Sequence, residues 1–109
     1  MRILYLGDVV GRSGRTAIRD RLKPLRTRLR ADFVVVNGEN ATSGAGLSGD
    51  HAKLLLESGA DVLTLGDHAF DQKDMLTHIE REPRIIRPVN YAKQAPGVGS
   101  RVFEAPGGR

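Results

Sequence analysis

The sequence predicts an α/β fold with a mainly parallel sheet and flanking helices, and three observations carry that expectation. Short apolar runs recur, Ile3-Leu-Tyr-Leu6, Phe33-Val-Val-Val36 and Val62-Leu-Thr-Leu65. Longer segments of helical spacing separate them, and each run leads into a glycine followed by an acid. Strand and helix in alternation require crossovers that bring each strand back parallel to the last, so the carboxyl ends of the strands share one edge. Ligands bind at that edge in such sheets.

The first run has four residues before Gly7 and Asp8, far too few for a signal peptide or a membrane span. The protein is therefore expected in the cytoplasm, where it is made. A helix is expected from about Ser13 to Leu29, because Ala17, Ile18, Leu22, Leu25 and Leu29 recur at mostly three- to four-residue intervals. Pro24 should kink or restart it. The three apolar runs have the length and branched content of strands buried on both faces.

Ser48 is a good N-cap for a second helix through Leu54-Leu-Leu56, and Gly59 supplies the left-handed residue expected at its close. A third helix is expected to open at Asp71, with Asp74 three residues on resembling a capping box. Met75 and Ile79 share one of its faces, and Pro83 ends it. Ile85-Ile86 then reads as a short strand and Arg101-Val-Phe-Glu-Ala105 as another, with Pro106-Gly107-Gly108 a turn. A strand leading into a turn normally has a partner beyond it, yet only Arg109 follows. The expectation is one domain over residues 1–109 that is incomplete.

Composition narrows the class. Apolar residues make up 39% and charged residues 28% of the chain, ordinary for a globular protein. Without cysteine there is no disulfide frame and no thiolate zinc site, so any metal must be held by oxygen and imidazole. The net charge of +4 owes much to one stretch, in which Arg12, Arg15, Arg19, Arg21, Lys23, Arg26, Arg28 and Arg30 all fall. Such a run is usually a solvated helix face. It also fits substrate-phosphate contact by Arg12 or Arg15, or a nucleic-acid footprint, although five aromatic residues are few for base stacking. Gly7, Gly11 and Gly14 follow the first strand but meet neither the dinucleotide nor the P-loop fingerprint.

The chemistry lies in the three strand ends: Gly7-Asp8, Gly38-Glu39-Asn40 and Gly66-Asp67-His68, spaced 31 and 28 residues apart. One strand–helix unit between each pair should deliver all three acids to the same crevice. Any one motif is explained by an acid capping the next helix and a glycine making the turn. Three in register, one with an added Asn and one with an adjacent His, call for a compensating cation. Carboxylate and amide oxygens suit Mg, Mn or Fe. Asp71 can either orient the imidazole of His68 or cap the following helix. His51 and His78 read as structural residues at helix ends.

These motifs, with Gly7-Asp8-Val-Val-Gly11, Asn37-Gly-Glu-Asn40, Gly66-Asp67-His68-Ala-Phe-Asp71, Arg87-Pro-Val-Asn-Tyr91 and Arg101-Val-Phe-Glu-Ala-Pro106, resemble the calcineurin-like metallophosphoesterases, most of all their YmdB-type branch. The resemblance implies the first half of a two-sheet sandwich and a site for two divalent metal ions, Fe or Mn first and Mg next. It implies Asp8 and Asn40 on one metal, Glu39 bridging both, Asp67 on the second, and His68 as proton donor. The family usually has Asn where Asp67 stands, and it completes its site with histidines from a later half that His51 and His78 do not match. The implied activity is hydrolysis of a phosphate ester by a cyclic-nucleotide phosphodiesterase or a phosphatase, with this chain alone inactive. The rival reading is a non-enzymatic basic nucleic-acid-binding module or an inactive truncated remnant. No membrane partner is expected, and a homo-oligomer is left open.

Overall fold

The structure, a computed structural model, describes residues 1–106. Four parallel strands, β1 (Ile3–Leu6), β2 (Phe33–Asn37), β3 (Val62–Thr64) and β4 (Ile85–Ile86), lie in the order β1-β2-β3-β4. Helices α1 (Gly11–Leu29), α2 (Gly49–Glu57) and α3 (Met75–Arg81) connect them. The α/β class and the parallel sheet are as the alternating pattern predicts. No helix among the described residues is long and apolar enough to cross a membrane.

Side chains alternate across a strand, and the two faces of this sheet differ. Val34 and Val36 of β2, Leu63 of β3 and Ile85 of β4 are at most 1% exposed, packed in one cluster with Ile18, Leu22, Leu55, Met75 and Ile79 of the helices. On the opposite face Ile3 and Tyr5 remain 65% and 60% exposed, and Phe33 and Val35 are only half-buried. The expectation of strands buried on both faces therefore fails for β1 and β2, because no second layer packs on that side among the described residues.

Helix α1 begins at Gly11, two residues before the expected start, with Gly11 at φ 61° and the preceding Val10 offering no side-chain cap. It continues through Pro24 without a break. Pro24 forfeits one intrahelical bond, but burial of Ile18 and Leu22 on the sheet side holds the helix across it. Arg30 ends it in the left-handed conformation at φ 53°. Beyond it, the half-buried Arg26 donates to the carbonyls of Ala31, Asp32 and Gly59 and pairs with Asp61 at 2.9 Å, fastening the amino-terminal ends of β2 and β3.

Ser48 caps α2 as predicted, accepting from the His51 amide at 3.2 Å, and Gly59 beyond the helix has φ 124°. The third helix differs from expectation. It starts at Met75 rather than Asp71, and the carboxylate of Asp74 serves the Gly49 amide at 2.9 Å instead of its own helix. Asp71 is engaged elsewhere. Arg101 to Ala105 is not a strand. Its β propensity finds no free ladder among the described residues: Val102 is 94% exposed, while Phe103 only lays its ring near Phe33, centroids 6.1 Å apart. Pro106 lies in a turn, and Gly107 and Gly108 fall outside the described residues.

Candidate functional site at the carboxyl edge of the sheet

Parallel pairing in register, Leu6 beside Val36 and Asn37 beside Thr64, delivers the three glycine–acid motifs to one edge. The first two interlock. Val10 bridges to Asn40, the Gly11 amide donates to the Asn40 carbonyl at 3.1 Å, and Asn40 Nδ2 donates to Asp8 Oδ2 at 2.8 Å. That bond engages the amide nitrogen of Asn40 and one carboxylate oxygen of Asp8, leaving an oxygen on each side chain for another partner.

Glu39 reaches from the end of β2 to the end of β3. Its carboxylate accepts from Asn37 Nδ2 and from the His68 amide, both at 3.4 Å. It also lies so close over Gly66 that a β-carbon there would collide with both carboxylate oxygens. Glycine at 66 is therefore a requirement of the carboxylate's position, and not only of the turn. The Tyr91 hydroxyl donates to the Gly66 carbonyl at 2.9 Å and steadies that strand end from the segment beyond β4.

His68 stands beside these groups with its Nδ1 2.6 Å from Asp71 Oδ2 and its Nε2 3.9 Å from Asp67 Oδ2. The hydrogen bond to Asp71, followed by the charge of Asp67, raises the imidazole above its ordinary pKa. His51 goes the other way: burial, then the charge of Arg15, lowers it, and its Nδ1 lies 2.7 Å from Thr42 Oγ1. His78 packs against Gly49. Neither joins the strand ends.

The edge thus brings together Asp8 with Asn40, and Glu39 with His68 and Asp71. Asp67 is apart from both pairs, its side chain 89% exposed. Among the described residues no three His, Asp or Glu side chains are gathered as a metal site. The donor chemistry nevertheless fits a hard dication, being all oxygen from carboxylates and an amide. At the ends of β2 and β3, moreover, the buried Asn37 Oδ1 and Thr64 Oγ1 have no hydrogen-bond partner. Leaving such atoms unpaired costs on the order of 1–3 kcal/mol each, a cost that recurs where a fold serves a site.

Sequence reasoning left the part of Asp71 open and missed Asn37 and Tyr91. An asparagine closing an apolar strand beside a glycine was the available signal for Asn37. Nothing local in the sequence announces the reach of Tyr91 to Gly66.

Relatives agree with this arrangement. A 2′,3′-cyclic-nucleotide 2′-phosphodiesterase of Bacillus subtilis is 39% identical over 107 residues, 98% of this chain and 40% of its own length. The crystal structure of a hypothetical protein from Thermus thermophilus superposes with a TM-score of 0.90 at 40% identity, covering 98% of this chain and 41% of that one. That of a novel phosphatase from Mycoplasma pneumoniae gives 0.86 at 40% identity, over 94% and 38%. The chain spans about 40% of the length of these proteins. The sequence profile of the YmdB-like protein family matches residues 4–109, and with nearly every residue inside that match the chain belongs to the YmdB-like family.

Proposed function

We propose that this chain carries part of the active site of a metal-dependent phosphoesterase, whose substrate is a phosphate ester of the 2′,3′-cyclic nucleotide class. The observation that supports it best is the placement of Glu39, which spans two strand ends over a glycine that admits no side chain. Relatives of phosphodiesterase and phosphatase type give the reaction class.

In this reading Asp8 and Asn40 hold one hard dication, Glu39 reaches both, and Asp67 swings in to the second. Mn or Fe suits these oxygens best, and Mg also fits. Bound there, two cations supply the charge that polarises phosphoryl oxygens and lowers the pKa of water. The chain's own residues do the rest. Asn40 orients Asp8 through its amide, and Asn37 steadies Glu39. Asp71 holds Nδ1 of His68, so that Nε2 presents a proton to the departing alkoxide, and the raised pKa keeps that proton available near neutrality. Residues supplied by the rest of a longer protein complete the donor set, so this chain alone is inactive in hydrolysis.

Thermal unfolding with and without millimolar Mn tests the reading, because a ligand that binds only the folded state must stabilise it. Tm is expected to rise with Mn for the unmodified chain and to stay fixed for Asp8→Ala. A Tm that ignores Mn in both would overturn the proposal.

A further inference from the structure

A cation row leads away from the site along the groove between α1 and α2. Arg12, Arg15, Arg19 and Lys23 recur at steps of three, four and four residues, which places them on one side of α1. At 1.5 Å per residue the row is about 16 Å long. Arg12, Arg15 and Arg19 line a cavity of about 260 Å³ with Thr16 and with His51 and Leu54 of α2. At its far end the Lys23 side chain packs beside Gly59, just past α2. The near end begins at the site itself, since the Gly11 amide is bonded to the Asn40 carbonyl and Arg12 is the next residue.

Two of these cations are partly committed: Arg15 donates to the Ala41 carbonyl, and Arg19 pairs with Asp20 at 2.9 Å. Arg12 and Lys23 have no acidic partner among the described residues. Asp20 is the one acid within α1. A mononucleotide at the strand ends would leave this row without a counter-charge, whereas a strand of nucleotides would fill it.

We propose that the α1–α2 groove binds the phosphate backbone of single-stranded RNA, so that the ester presented to the strand ends is the terminal 2′,3′-cyclic phosphate of an oligonucleotide. The inference rests on the proposed function for its site and deepens it by naming the substrate as an RNA end. Only RNA has the 2′-hydroxyl from which such a ring closes. At about 3.4 Å per nucleotide, the row spans roughly five phosphates. With no aromatic side chain lining the groove, binding is electrostatic and indifferent to base.

The test is fluorescence anisotropy of a labelled eight-nucleotide RNA with a 2′,3′-cyclic phosphate end, titrated with the chain in EDTA over a range of salt. The expected result is affinity that falls with salt at a logarithmic slope of about −2 to −3, each phosphate contact giving about 0.7. Arg12→Gln and Lys23→Gln should each reduce that slope by about 0.7, Arg28→Gln on the other side of α1 should leave it unchanged, and Asp20→Asn should tighten binding. Unfolding midpoints of the variants establish that each is folded. No salt-dependent binding, equal loss from Arg28→Gln, or equal affinity for a cyclic mononucleotide would overturn the groove. RNA binding in EDTA from a chain that Mn fails to stabilise would refute the phosphoesterase reading and leave the groove standing. Mn stabilisation without RNA binding would do the reverse.

Discussion

The two faces of the sheet are built to different standards. On the helix side Val34, Val36 and Leu63 are sealed from water, and Leu22 and Leu55 close over them. On the other side Ile3 and Tyr5 stand mostly in solvent, and the ring of Phe103 near Phe33 is the main cover of that end. Apolar side chains of similar size thus contribute very differently to folding, according to which way the pleat turns them. The lesson extends to the site: its residues sit on the rim between a finished layer and an unfinished one, so their positions depend on local bonds such as Asn40 to Asp8 rather than on burial.

The largest expected effect tests that contrast directly. Leu63→Ala should cost about 2–5 kcal/mol, as a large-to-small change in a packed interior does. Ile3→Ser should move stability by less than about 0.5 kcal/mol. Urea unfolding of both variants measures the difference, and equal losses would mean that the bare face is covered in solution.

A smaller effect falls on the rim. Gly66→Ala must displace the carboxylate of Glu39, the far end of a flexible side chain, so the expected cost in stability is about 1 kcal/mol or less. The Mn-dependent rise in Tm should nevertheless disappear, because Glu39 no longer spans the strand ends. A variant that keeps the full Mn response would separate Glu39 from the metal.

The smallest effect distinguishes the two histidines, and their signs are opposite. With its pKa raised in the folded chain, His68 contributes stability that is complete below the ordinary histidine value of about 6.5 and is lost as pH rises through its own higher value. His51, lowered on folding, contributes above about 6.5 and loses that contribution as pH falls to its own lower value. NMR titration of the metal-free chain should place His68 above His51, and Asp71→Asn should bring His68 down while leaving His51 in place. A His68 that titrates below His51 would remove the argument for it as an acid near neutrality.

Much of this was legible in the sequence, for reasons that differ by element. The three apolar runs were unmistakable because a buried strand needs a short unbroken stretch, and the parallel order followed from the helices between them. The glycine–acid motifs were visible because they recur at the spacing of one strand–helix unit. What the sequence did not yield depends on neighbours in space. Arg101 to Ala105 has strand residues but no ladder to join. Asp71 and Asp74 are equally plausible caps on paper, yet one is drawn to His68 and the other to the Gly49 amide. Bareness of the Ile3–Tyr5 face is invisible in a hydrophobic run, since the residues look the same whether or not something covers them.

The strand order has a consequence for how the chain comes into being. Every strand pairs with its immediate predecessor in the sequence, and none waits for a later one to be inserted between two earlier ones. The sheet can therefore grow by addition at one edge as the polypeptide leaves the ribosome, each loop closing over a single strand–helix unit. The acids of the site are assembled in the same sequence, with Asp8 and Asn40 able to meet before Asp67 and His68 have been synthesised.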